Sequence, residues 1–196
     1  MTILMGLTRL LSGINAAVLT AGRAIGIVCV ALMVIFILIQ VFFRYVLGSA
    51  LPWSEEAARF LMLWMTGLMA PTAFRRGGFV SIDMVVMLMP RGLAAVLQLV
   101  LLLLSLAVLT VGFRIGWAEV TGFGGRFATD ALWVPLRLDF SEWMKVPRAW
   151  TMASLATGVT LLIAVNVELL LRSLVQLLGA GARLPAIADR VSMGSE

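Results

Sequence analysis

The chain has 196 residues, 62% hydrophobic and only 13% charged, with a net charge of +5, one cysteine and no histidine. A water-soluble domain is nearer half apolar and a quarter charged, and so short a chain cannot bury the excess within itself, so lipid is the solvent for most of it. Histidine-ligated haem and an intramolecular disulfide are excluded, a zinc or copper centre has almost no ligands to draw on, and the basic residues stand singly at the ends of apolar runs instead of forming a nucleic-acid-binding stripe.

The first twenty residues carry Arg9 but no compact basic, apolar and cleavable pattern, so no cleaved signal peptide is expected. A crossing needs about 20 apolar residues to traverse roughly 30 Å of hydrocarbon, and four stretches qualify. They are Ala24 to Phe43, bracketed by Arg23 and Arg44; Ser54 to Phe74, with its charges in the first turns; Leu93 to Phe113, ending at Arg114; and Ala149 to Leu171, ending at Arg172. The segment Leu7 to Ala21 is a surface helix or an extension of the first span. Arg75 and Arg76 stop the second span, with Gly77 as a left-handed C-cap. Val80 to Met89 is too short to cross and reads as an interfacial helix ending at Pro90. The expected architecture is a single all-α integral membrane domain over 1–196, with four transmembrane helices and short interfacial helices.

An inside N-terminus places Arg9, Arg23, Arg75, Arg76, Arg91, Arg172, Arg183 and Arg190 on the cytoplasmic side, against Arg44, Arg59, Arg114, Arg126, Arg137, Lys145 and Arg148 outside. Four of the outer residues belong to one long connection, which the charge rule weights little, and the compact "RRGG" turn is strongly basic. Both termini are therefore expected in the cytoplasm, with a tail over 179–196. Trp53, Trp117, Trp133, Trp143 and Trp150 all fall on the outer side, where an indole keeps its ring buried and its N–H wet. The external connection 118–148 carries four basic and four acidic residues and is expected to lie on the membrane surface or against a partner.

The second span opens on "LPWSEEAARF". Pro52 breaks the preceding chain, Ser54 is a natural N-cap, and Glu55 and Glu56 sit where the helix dipole favours negative charge. Arg59 is spaced to pair with either glutamate. A nine-residue loop, Tyr45 to Trp53, sets the first two spans side by side, and an Arg44 bracket to Glu55 or Glu56 would fix their register. Glu168 lies four positions before Arg172, which favours an ion pair over a proton relay. Gln40 and Asn166 read as hydrogen bonds between helices, and Pro71 as a kink in the second span.

The run "FRYVLGSALPWSEEAARFLMLWMTGLMAPTAFRRGGFVSID" resembles the small membrane subunit (DctQ-like) of tripartite ATP-independent periplasmic (TRAP) transporters. The matching elements are Arg44-Tyr45, then Trp53-Ser54-Glu55-Glu56 with Arg59, Trp64 within the span, Arg75-Arg76-Gly77-Gly78, and Asp83; Phe79 and Ser81 depart from the family's histidine and basic residue. The resemblance implies a brace for a large DctM-like membrane subunit. That subunit moves an organic acid, a C4-dicarboxylate or a related compound, driven by sodium and delivered by a periplasmic binding protein. It also implies a multi-pass place in a bacterial or archaeal cytoplasmic membrane. Arg44, Trp53, Ser54, Glu55, Glu56, Arg59, Arg75, Arg76 and Asp83 would then serve structure and assembly, and Trp133 and Trp143 would face the periplasmic partner. No catalytic, substrate-binding or metal residue and no cofactor is expected in this chain, sodium coupling being left to the large subunit. The rival readings are a stand-alone four-span porter, a membrane enzyme or electron carrier, and an accessory subunit of an unrelated complex.

Overall fold

The structure is a computed structural model that describes residues 2–49, 51–77, 90–135 and 143–177. The expected interfacial helix Val80 to Met89, Asp83 and the tail 179–196 lie outside the described residues, as does the side chain of Trp143.

Helix α1 runs Thr2–Tyr45, 44 residues without interruption. No proline occurs in this stretch, and its four glycines each weaken a helix by only about 1 kcal/mol. Leu7 to Ala21 is therefore an extension of the first span and not a separate surface helix. At 1.5 Å per residue α1 is about 66 Å long, roughly twice the hydrocarbon thickness. It ends where Gly48 turns left-handed at φ 65 and the Ser49 amide donates back to the Phe43 carbonyl.

Helix α2, Pro52–Arg75, begins with Leu51 as an extended N-cap and Pro52 in the first turn, a place where proline loses nothing because its missing N–H would be unsatisfied anyway. Ser54 is thus not the cap. It lies one turn inside, fully buried, and its hydroxyl donates to the Leu51 carbonyl at 2.9 Å. At the other end Gly77 has φ 89 and donates to the Phe74 carbonyl, the left-handed closure expected from the sequence. Pro71 is accommodated inside a continuous helix.

Helix α3 spans Arg91–Thr121 and helix α4 spans Arg148–Leu177. Between them the chain makes a 3-10 turn, Phe123–Arg126, and an antiparallel hairpin of β1, Ala128–Pro135, and β2, Trp143–Pro147. This short hairpin interrupts an otherwise helical chain, which agrees with the all-α membrane expectation in outline. Thr129, Trp133 and Val146 are residues that prefer strands, and the register Ala128 opposite Pro147, Trp133 opposite Lys145 and Pro135 opposite Trp143 contains one irregularity between Ala128 and Trp133. The Arg148 amide donates to the Phe127 carbonyl at 2.8 Å and ties the hairpin's base to the first turn of α4.

The helices pack in the order α1, α2, α4, α3, with α4 also touching α1. Three of them, α1, α3 and α4, are long and apolar enough to cross a membrane. Helix α2 is not among these, because Glu55, Glu56, Arg59 and Arg75 occupy its two ends and Pro71, Thr66 and Thr72 dilute its middle.

Small residues set how closely the row packs. A Cβ on Gly158 would stand 2.8 Å from both the Cα and the carbonyl oxygen of Gly67, and one on Gly67 would strike the Ser154 carbonyl. Pro71, lacking an N–H, is the residue that would otherwise bond that Gly67 carbonyl four positions back. Glycine on both helices therefore permits a backbone contact between α2 and α4, the usual solution where lipid offers no hydrophobic drive for helices to associate.

Candidate functional site

The densest polar arrangement is at the end of the row where α2 and α4 finish. Glu168 of α4 is 0% exposed and accepts from three residues on two other helices and its own. Arg75 of α2 grips it as a fork, Nη2 to Oε1 at 2.8 Å and Nε to Oε2 at 3.0 Å. Arg172, one turn along α4, adds Nε to Oε1 at 3.1 Å. Asn15 of α1 donates its amide to Oε2 at 2.8 Å and to the Ala164 carbonyl at 3.2 Å. Ser12 completes the cluster: its hydroxyl accepts from Arg75 Nη2 at 3.0 Å and Arg172 Nη2 at 2.8 Å, and its carbonyl accepts from Arg75 at 3.0 Å.

The arginine side chains are only 11% and 10% exposed. In such a site the Coulomb attraction must offset a desolvation cost of several kcal/mol per ion. It does so only when geometry is good and the remaining lone pairs are bonded, as they are here. The planar guanidinium matches the carboxylate in two bonds, which a lysine could not do. Three helices are thereby held at one point. The Glu168 and Arg172 pair was legible from its i,i+4 spacing; Arg75, Asn15 and Ser12 were not, because no local pattern links positions so far apart in the chain.

At the other end, where α2 begins, the charged residues are spread out. Glu56 accepts the Ala131 amide at 2.6 Å, which fastens β1 to α2. Glu55 pairs with Arg59 at 3.4 Å, with both side chains about two-thirds exposed, at 68% and 66%. Trp53 stacks edge-on against Phe36 of α1 with centroids 5.6 Å apart, an aromatic contact between α1 and the start of α2. Arg44 lies over the ring of its neighbour Tyr45, 6.0 Å from the centroid. Among the described residues no ion pair joins Arg44 to Glu55 or Glu56, because α1 carries Arg44 eight residues past the Phe36 contact, about 12 Å beyond the start of α2. On the hairpin, Lys145 Nζ sits 5.1 Å from the centre of the exposed Trp133 ring, a cation–π geometry.

Several expectations change. Asn166 is fully buried, yet neither its amide nitrogen nor its oxygen has a hydrogen-bond partner, and Trp64 Nε1 and Thr72 Oγ1 share that condition. The interhelical bond expected of Asn166 is made by Asn15 instead, and Gln40 makes none among the described residues. Arg75, Glu56, Glu55 and Arg59 are brought into contacts of their own, but at two opposite ends of α2 and not in one site. Arg76 has a partner as well. Among the described residues no group of histidine, cysteine, aspartate and glutamate could hold a metal ion.

The cluster is a fastening and not a reactive constellation, since every oxygen of Glu168 is already taken up by donors. No curated protein and no solved structure matches the chain. The family model described as "Tripartite ATP-independent periplasmic transporters, DctQ component" matches residues 33–176, well over half of the sequence and including both ends of α2 and the Glu168 cluster's α4 residues. A multi-pass membrane architecture of long apolar helices and this match agree: the chain belongs to the DctQ family, whose members are transporter components that work beside a large membrane subunit and a periplasmic binding protein.

Proposed function

We propose that this chain is a static brace for the large, DctM-like subunit during sodium-driven uptake of an organic acid, a C4-dicarboxylate or a related compound. The observation that carries the reading is Glu168. An acidic residue in a membrane span is a transport-site candidate by default, but this one is bonded by Arg75, Arg172 and Asn15 and holds α1, α2 and α4 together. A group so engaged supports rigidity better than cycles of ion uptake and release.

In this reading α2 is a fourth crossing, sheltered between α1 and α4, and both termini face the cytoplasm of a bacterium or archaeon. The hairpin then lies on the periplasmic face, with Trp133 and Trp143 toward the docked binding protein, while Arg44, Trp53, Ser54, Arg76 and Asp83 serve assembly with the large subunit. Sodium binds in that subunit, and none of the cargo is held here.

Reconstitution tests this. Liposomes with the large subunit, this chain and the loaded binding protein should accumulate the organic acid along a sodium gradient, and omission of this chain should abolish it. Uptake by this chain alone would overturn the proposal.

A further inference from the structure

Helix α3 packs against α4 and leaves its opposite side open. Leu93, Val96, Val100, Leu103 and Val111 share that open face, each at least half exposed. Arg114 stands in line with them and is exposed too. Among the described residues it makes no hydrogen bond and no ion pair.

The height of Arg114 follows from two contacts with α4. A Cβ on Gly112 would stand 3.7 Å from the Val159 side chain, and one on Gly116 would stand 3.3 Å from the Ala156 Cα. Arg114 is therefore level with residues 157–158, about ten residues or 15 Å along α4 from its charged first residue, Arg148. The outer basic ends of two packed neighbours are thus out of step by about half the thickness of the hydrocarbon. Tilting the pair does not bring them level, because rods about 8–10 Å apart shift by only about 6 Å at a 40° tilt. A membrane whose headgroups meet Arg148 holds Arg114 in hydrocarbon, where an unpaired guanidinium is disfavoured by on the order of a hundredfold.

Lipid tails give that charge no counterpart at this depth, and neither does a second copy. Two copies of the same sidedness, meeting across this face about an axis along the membrane normal, would set Arg114 against Arg114. Glu168, the one acid lying beyond the first turns of an apolar span, is already bonded by Arg75, Arg172 and Asn15.

We propose that the open face of α3 receives a transmembrane helix of the large subunit, and that Arg114 pairs there with a carboxylate of that helix. The seam is apolar along its length with one charged member, an arrangement in which a single buried polar residue fixes register and partner choice. The planar guanidinium suits a carboxylate held in two bonds, as Arg75 holds Glu168 within the chain.

The contact exists only if the large subunit is this chain's partner, as given under the proposed function. In cells that express the whole transporter, a photoreactive benzophenone side chain at Val100 or at Val111 should give, on illumination, an adduct with the large subunit. The large subunit should also co-purify with the tagged parent chain. Arg114→Leu should lower the amount recovered roughly tenfold or more, and Arg114→Lys should keep part of it. The unfolding temperature of the isolated chain should not move, since Arg114 has no partner among the described residues. A parent chain that fails to retain the large subunit would overturn the partnership, and this contact with it. If the parent retains it while Val100 and Val111 yield only lipid or copy-to-copy adducts, or while Arg114→Leu retains as much as the parent, the contact is overturned and the partnership stands.

Discussion

The two ends of α2 use the same residue types to opposite effect. At its start, Glu55 and Arg59 face water and meet in a loose 3.4 Å pair; at its finish, Arg75 disappears into a forked bond with a carboxylate that has no exposed surface. Water supplies the alternative partner in the first case, so the pair itself contributes little. In the second case there is no alternative, and loss of one member strands the others. Charge count says nothing about which kind of site a residue belongs to; the surroundings decide.

The contrast can be broken most forcefully at the buried end. Glu168→Ala should leave Arg75 and Arg172 without their carboxylate and destabilise the chain by about 3–5 kcal/mol, read as a large drop in the thermal unfolding temperature of purified protein. Arg75→Lys should recover only part of this, because a lysine cannot form the fork. Next in size is the glycine contact above the cluster. Gly158→Val should cost about 1–3 kcal/mol or more by forcing α2 and α4 apart, visible as loss of a disulfide between cysteines placed across that contact.

At the exposed end the expected effects shrink. Glu56→Ala removes a charged acceptor from the Ala131 amide and should cost roughly 1.5–3 kcal/mol locally. Its signature is faster hydrogen exchange at Ala131 and a shift in Trp133 fluorescence. Arg59→Ala should change stability by under about 1 kcal/mol, and an unfolding temperature indistinguishable from the parent would be the expected result. A large loss from Arg59→Ala, or none from Glu168→Ala, would reverse the comparison.

Apolar length and terminal charges made four helical segments readable in the sequence, and Gly77 marked the close of α2 because few other residues adopt a positive φ there. The start of α2 differs from the sequence reading for a physical reason: Ser54 and Pro52 both fit an N-terminus, and proline's fixed φ places the N-cap at Leu51, three residues earlier than the serine suggests. The hairpin was hidden because its strands are short and not contiguous in the chain, so their alternation never runs long enough to stand out beside a bilayer-scale signal. The cluster around Glu168 was half visible. Spacing along one helix reveals Arg172, whereas Asn15 and Arg75 arrive from turns of α1 and α2 whose rotation about their axes depends on the glycine contacts elsewhere.

The order of the row carries a consequence for biogenesis. Of the four described helices, α4 is made after the other three, yet it occupies an inner position and contacts each of them. While the ribosome is still translating the hairpin, α3 lacks α4, its main neighbour among the described helices, and Arg75 lacks Glu168. Insertion of α4 must therefore slot it between helices already in the membrane, and a nascent chain that stalls before Arg148 would present quality-control proteases with an unfinished assembly instead of a smaller stable one.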